Sequence, residues 1–172
     1  MNGTGRFHRS SLIPALALLV VAGVSYAGVI DSPLPTLGGK GSVMNYAVSG
    51  VVNAGGLATI FSCTNTSSSD VTISVELFVD AGGNPCNDAN AAAVTAPAGG
   101  TVMFSTQDNI QSSFFSTHPL STPPMFLSVG SARVVSTGKA LICSAFIADV
   151  YNSPPQSMTP LVLTAKGKQR GG

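Results

Sequence analysis

Apolar residues occupy every second position of the stretch 71–80, and most of the positions between them are polar. The apolar positions are Val71, Ile73, Val75, Leu77 and Val79. Successive side chains of a β-strand point to opposite faces, so a period of two places all of these residues on one face. The stretch therefore predicts a half-buried strand.

A second apolar stretch, Lys139 to Val150, is nearly continuous and has a cysteine at its centre. Leu57 to Cys63 repeats the arrangement as a short, β-prone run that ends in a cysteine. We interpret the two stretches as central strands that are joined by one disulfide. Side chains of the strand 139–150 alternate between its two faces. This alternation predicts that one set faces the core, namely Leu141, Cys143, Ala145 and Ile147.

Weaker strand patterns, separated by turn residues, fill the rest of the chain. The segments predicted as strands are 42–53 with an interruption at Gly50, 57–65, 71–80, 91–95, 101–106, 125–136, 139–150 and 158–165. The segments 125–136 and 139–150 are predicted to form a hairpin across Thr137-Gly138. No window has a convincing helical period. Seven or eight short strands predict an all-β fold, an antiparallel β-sandwich that is Ig-like or another Greek key.

The first 27 residues have the three parts of an export signal. Basic residues at Arg6 and Arg9 precede an apolar segment from Leu12 to Val24, and small residues stand at Ser25 and Ala27. We expect cleavage before Gly28, which makes the protein secreted or periplasmic. The apolar segment would span about 20 Å as a helix, too short for a membrane anchor, so we expect no stable membrane insertion after cleavage.

The chain beyond the export signal has the length of one domain. We predict an extended leader with little structure of its own at 28–41, a single β-sandwich domain at 42–165 and a disordered basic tail at 166–172. Loss of Arg6 and Arg9 with the signal leaves six Lys and Arg against seven Asp and Glu. This balance of charges provides no basic face for nucleic acid, so we expect no nucleic acid as a partner.

The chain has three cysteines, and an exported protein usually matures in an oxidising compartment where two of them are expected to pair. Cys63 and Cys143 lie on strand faces with apolar neighbours, whereas Cys86 lies in a loop rich in Gly and Asn. We therefore favour the pair Cys63–Cys143 over Cys63–Cys86, and two buried free thiols are the remaining alternative. Cys86 is then the odd cysteine, which is either idle and partly shielded, or a reactive thiol or a partner in an intermolecular bond.

Residues that carry acid–base or metal chemistry are scarce. The expected mature chain has one histidine, His118, and one glutamate, Glu76, and it has no Gly-x-Ser-x-Gly motif. An oxygen-rich loop does not match the spacing of an EF-hand and is typical of turns; its residues are Asp80, Asn84, Asn87, Asp88 and Asn90. We predict no catalytic, metal-binding or cofactor-binding residues, and a hydrolase is the third functional hypothesis.

Ile142 and Phe146 point away from the predicted core face, and apolar residues on both sides of a strand require a cover on the outer side. We expect the long connection 107–124 and the residues after it to fold back over this side. The alternative is a docking surface for another subunit, a surface polymer or a partner protein. The residues of this candidate surface are Phe114, Phe115, His118, Phe126, Ile142 and Phe146.

The export signal, the segment Ile60-Phe-Ser-Cys-Thr-Asn65 with the alternating strand after it, and Leu141-Ile-Cys-Ser-Ala145 together resemble small exported bacterial β-sandwich proteins. The resemblance covers most of the mature chain and implies the fold and export, and it implies no activity. We predict a non-enzymatic, structural or adhesion-like interaction module at or outside the cell envelope. The second hypothesis is a small-ligand or glycan-binding module that uses the 107–124 connection.

Overall fold

The computed structural model describes residues 28–79, 84–107, 115–120 and 127–166, with no helix among them. The strands of these residues, in chain order, are β1 (Thr36–Leu37), β2 (Lys40–Gly41), β3 (Val43–Ala54), β4 (Leu57–Asn65), β5 (Val71–Val79), β6 (Val94–Ala96), β7 (Thr101–Ser105), β8 (His118–Pro119), β9 (Leu127–Ser136), β10 (Leu141–Asp149), β11 (Met158–Leu161) and β12 (Leu163–Ala165). The predicted export signal, most of the predicted tail, Asp80, Phe114 and Phe126 lie outside the described residues.

The strands form two layers that are joined at one corner, which confirms the predicted antiparallel β-sandwich. Sheet one has the order β6-β5-β9-β3-β12, and sheet two has the order β11-β10-β4-β7-β8. The pairing is antiparallel except between β7 and the two-residue β8. The corner is the β3–β4 hairpin, where only Asn53 and Ala54 pair with β4.

The core lies between the sheets and follows from the alternation in the sequence. The odd-numbered residues of β5 from Val71 to Leu77 are buried there, opposite Phe61 of β4 and Phe104 of β7. From β10, Leu141 and Ala145 belong to the same buried cluster and Cys143 packs against it. The core-facing side predicted for Leu141, Cys143 and Ala145 is therefore confirmed, whereas Ile147 is half-buried and is not among the residues of this cluster.

Strand β3 runs through Gly50 rather than breaking there. Its pairing with β9 shifts register between Ser49 and Val51, and Gly50 has a φ of 79°. A left-handed residue of this kind is typical of a β-bulge, which bends a strand without ending it. The interruption predicted at Gly50 is thus a bend that directs β3 toward the corner.

The predicted hairpin between segments 125–136 and 139–150 is wrong. Strand β9 pairs with β3 and β5 in sheet one, whereas β10 pairs with β4 and β11 in sheet two. The short link between them therefore crosses from one sheet to the other, with the amide of Thr137 bonded to the carbonyl of Thr72. The last predicted strand likewise divides into β11, which joins sheet two, and β12, which joins sheet one.

The leader at 28–41 is more structured than predicted. Strands β1 and β2 pair across a turn at Gly38 and Gly39, both of which have positive φ. Leu37 is fully buried and Ser32 is nearly so. The leader is therefore part of the folded domain rather than an extended appendage.

Candidate interaction face

The disulfide lies in the middle of sheet two. Cys63 of β4 and Cys143 of β10 are directly opposite each other in the pairing register and are bonded. This is the predicted pairing, and the bond closes a sequence separation of 80 residues. Because both cysteines belong to the core side, the neighbouring residues on these strands point outward.

The outward residues of β10, β4 and β7 form rows across sheet two. One row aligns Ile142, Thr64 and Thr101, and the next aligns Ser144, Ser62 and Met103. We call these six residues the Ile142 face. All of them are uncharged, and the hydroxyls of Thr64 and Thr101 are 2.8 Å apart, in hydrogen-bond contact.

The outer side of sheet two is covered only in part. A small cluster forms from Ile60, Ala148 and Phe115, with Met103 and Phe146 packed against it. The rings of Phe115 and Phe146 have their centroids 5.6 Å apart. Phe115 therefore covers Phe146, as predicted for the 107–124 connection.

Ile142 is not covered within the described part of the chain, which corrects the expectation for this residue. Its side chain is 66% exposed, while its row neighbour Thr101 is also exposed. The reason is positional, because Phe115 packs over the row of Ile60 and Phe146, and Ile142 is four residues before Phe146 on the same outer side.

The residues of the 107–124 connection do not come together as one groove. Phe115 is nearly buried in the outer cluster, whereas Leu120 belongs to the core between the sheets. His118 is exposed on β8, with its ring 6.2 Å from that of Phe104. The described residues of this connection thus pass around the edge of sheet two and present no shared site for Phe115 and His118.

Buried polar residues hold the leader on the outer side of sheet one. Arg133 is fully buried, and its Nε donates a hydrogen bond to Glu76 Oε2 at 2.5 Å. Its Nη1 donates to the carbonyls of Val29 at 3.1 Å and Ser32 at 2.8 Å, and its Nη2 donates to the carbonyl of Pro33 at 2.7 Å.

The ring of Phe78 completes this site, since the guanidinium carbon of Arg133 lies 5.3 Å from its centroid. Such a position favours a cation–π interaction. The arrangement pairs the charges and engages the guanidinium with backbone carbonyls, so it serves structure rather than chemistry. Sequence reasoning missed it, although single charges in the middle of two otherwise uncharged strands were a usable signal.

Three residues of the oxygen-rich loop, Asn87, Asp88 and Asn90, are engaged in structural contacts. The side chain of Asn87 accepts a bond from the amide of Leu77 and donates to the carbonyls of Val75 and Leu120. Asp88 Oδ1 accepts bonds from the amides of Asn90 and Ala91, and Asn90 Oδ1 accepts one from Gly38 of the leader. No group of three or more His, Cys, Asp or Glu side chains in the described ranges could hold a metal ion.

Cys86 is the free cysteine of the described chain and is half-buried. Its Sγ donates to the carbonyl of Leu77 at 3.0 Å. Burial raises the pKa of the Cys86 thiol above its ordinary value, although backbone hydrogen bonds oppose the shift. A thiol that holds its proton more tightly is a poorer nucleophile at neutral pH.

Asn65 begins the sequence Asn-Thr-Ser, a formal glycosylation sequon. The residue is fully buried, and its Nδ2 donates to the carbonyls of Ser69, Ala96 and Pro97. Since Nδ2 is the atom to which a glycan would be attached, the folded domain has no room for that modification. Asn65 instead fixes the turn after β4 to the turn after β6.

Across the described ranges, no helix is long and apolar enough to cross a membrane. Comparison of the chain with protein-family models, with curated proteins and with solved structures finds no match.

Proposed function

We propose that the protein is an exported, non-enzymatic interaction module that docks on another protein through the Ile142 face. The observation that carries the proposal is the 66% exposure of Ile142 among uncharged neighbours on a well-paired sheet. A disulfide of this kind is typical of proteins in oxidising compartments, which supports export.

The chemistry of the face favours a protein partner with an uncharged surface. An aliphatic side chain surrounded by hydroxyls and a thioether can lose water at little cost, provided that the hydroxyls find partners. A charged partner surface would lose its hydration against this face without gaining an opposite charge. A structural or adhesion-like role at the cell envelope is consistent with such a contact.

The edges of the sheets are poorly suited to binding by strand addition. The terminal strands β6, β8, β11 and β12 have two to four residues each. Pro119 in β8 and Pro160 in β11 lack the backbone N–H that a ladder requires. Short edge strands and prolines disfavour pairing with a strand of another chain. The sheet face is therefore the better candidate for the docking surface.

The second hypothesis, a glycan-binding groove in the 107–124 connection, loses support because Phe115 is nearly buried against Phe146. A ring that packs inside a cluster has no free face for a ligand.

The test is photo-crosslinking in cells that produce and export the protein. A photoreactive phenylalanine analogue replaces Ile142 in one variant and Val162 in the control, since Val162 is 83% exposed and lies outside the Ile142 face. Both variants are irradiated with and without an excess of purified wild-type protein or of the variant Ile142→Asp.

We expect one discrete protein adduct from position 142 and none of the same mass from position 162. The wild-type protein should compete this adduct away, and Ile142→Asp should not, because a charge within the face must be desolvated on docking. Equal adducts from both positions, no adduct from position 142, or equal competition by Ile142→Asp would each contradict the proposal.

A further inference from the structure

Tyr151 presents a supported aromatic ring at the end of the sandwich where β3 turns into β4. Its side chain is 58% exposed although it follows directly on the buried Val150. The Cδ2–Cε2 edge of the ring lies against Gly56, where an added Cβ would be 2.4 Å from Cε2 and 2.7 Å from Cδ2 of Tyr151. Gly56 also has a φ of 80°, so both backbone conformation and space require glycine there.

The loop that carries the ring is fixed where it leaves β10. The amide of Val150 donates to the carbonyl of Gly56 at 3.1 Å, which joins the loop to the β3–β4 turn. Asp149 Oδ1 accepts the amide of Tyr151 at 3.0 Å, and Asp149 Oδ2 accepts the side-chain amide of Asn152. A ring held in this way loses little conformational entropy when a ligand stacks on it.

The surroundings of the ring define the class of ligand. Ser153, Gln156 and Ser157 of the same loop are exposed and uncharged, and Leu57 beside Gly56 is 39% exposed. The nearest charge in the loop is Asp149, whose carboxylate oxygens already accept hydrogen bonds from the loop itself. These bonds lower the pKa of Asp149, the bond from Asn152 first and the amide of Tyr151 second.

We propose that Tyr151 is a stacking platform for the pyranose ring of a neutral carbohydrate. The apolar C–H face of a sugar ring fits the flat aromatic face, and its hydroxyls fit the hydroxyl and amide groups of the loop. Apart from Asp149, whose carboxylate is engaged by the loop itself, the loop residues named above are uncharged, which matches a ligand without charge. The site is separate from the Ile142 face and does not depend on the docking proposed there.

The intrinsic fluorescence of the protein provides a direct measurement. The chain has no tryptophan, and after loss of the export signal its tyrosines are Tyr46 and Tyr151. Tyr46 is partly buried, with its hydroxyl bonded to the carbonyl of Leu141, so Tyr151 is the tyrosine that a stacked ligand reaches. We would titrate the mature protein with short neutral oligosaccharides of glucose, N-acetylglucosamine, mannose and galactose, and follow tyrosine emission.

We expect a saturable change in emission with at least one of these sugars. Calorimetry with the same sugar should show binding weakened about tenfold or more in Tyr151→Ala and nearly unchanged in Tyr151→Phe, because phenylalanine keeps the stacking surface. Circular dichroism confirms that each variant is folded.

Two outcomes would overturn the inference. One is that none of these sugars binds at concentrations up to about 10 mM, which corresponds to a binding free energy weaker than roughly 3 kcal/mol. The other is equal affinity of the wild-type protein and Tyr151→Ala. The variant Ile142→Asp should bind the sugar normally, so a failure of the docking proposal leaves this result unaffected.

Discussion

Arg133 contributes more to the stability of this fold than the sequence around it indicates. Its charge is buried with that of Glu76, and the same guanidinium holds three carbonyls of the leader. The partners are about a hundred residues apart in sequence, at 133 and 29–33. No local pattern specifies such a contact, which is why the leader was predicted to have little structure of its own.

The first prediction concerns this ion pair. Replacing Arg133 by methionine leaves the buried carboxylate of Glu76 without its partner, so we expect the free energy of unfolding to fall by about 3–5 kcal/mol. The double variant Arg133→Met, Glu76→Leu should recover part of the loss, because it leaves no unpaired buried charge. Denaturant unfolding of both variants measures the difference.

A second measurement separates loss of the ion pair from loss of the leader contacts. Both variants lack the donors to Val29, Ser32 and Pro33, so limited proteolysis should remove residues from the leader faster than in the wild type, as followed by mass spectrometry. Lys139→Met, a change at an exposed residue, is the control. Equal stability of the single and double variants would contradict the assigned role of Glu76.

At the scale of elements, the paired strands β4 and β10 are the part of the fold that the sequence predicted best. The bounds of β4 coincide with the predicted segment 57–65, and the cysteines face each other in register. Apolar periodicity and the expectation of an oxidising compartment were sufficient for this prediction. Periodicity acts within a single strand, and a disulfide acts within a single pair of residues.

The second prediction tests the disulfide. Replacing both Cys63 and Cys143 by alanine removes a cross-link over 80 residues, and on the chain-entropy account the free energy of unfolding should fall by about 4 kcal/mol. Cys86→Ala is the control and should change stability by less than about 1.5 kcal/mol, since it removes one half-buried sulfur. Thermal or denaturant unfolding of the two variants gives the comparison.

The same proteins provide a check on the pairing itself. The native wild type should contain one thiol that reacts with an aromatic disulfide reagent, slowly at neutral pH because the pKa of Cys86 is raised, and Cys86→Ala should contain none. Two or more reactive thiols in the native protein would show that the cross-link is absent.

The strands that pair with β9 and β10 could not be predicted from the sequence. Two strand-like segments with a short, turn-like link between them are typical of a hairpin, and alternation specifies faces without specifying neighbours. In the structure the link crosses between the sheets, and the two strands pair with β5 and β4 instead. Sheet membership is a long-range property that local turn chemistry does not encode.

At the scale of the whole molecule, the two outer sides of the sandwich differ. The leader is bound on sheet one, where Arg133, Val135, Ser74 and Phe78 are all buried. On sheet two, Phe115 covers Phe146 and leaves Ile142 exposed. Apolar residues on the outer side of the strands predicted that other residues cover them. The leader has no apolar pattern that would identify it as such a cover.

This asymmetry supports the functional proposal. Among the described residues, the leader covers Arg133 and its neighbours on one outer side, whereas the other outer side keeps an uncharged patch in which Ile142 is exposed. Tyr151 adds a second, smaller recognition element at the end of the sandwich, of a different chemistry from the Ile142 face.

Carbene footprinting of side chains, performed on the purified protein and on the protein in the cells that produce it, tests the central claim most directly. We predict strong labelling of Ile142 in the purified protein and clear protection in the cells, with Val162 labelled in both and Val135 in neither. Equal labelling of Ile142 in the two samples would contradict docking through this face. Protection of Ile142 in the purified, monomeric protein would contradict the open face itself.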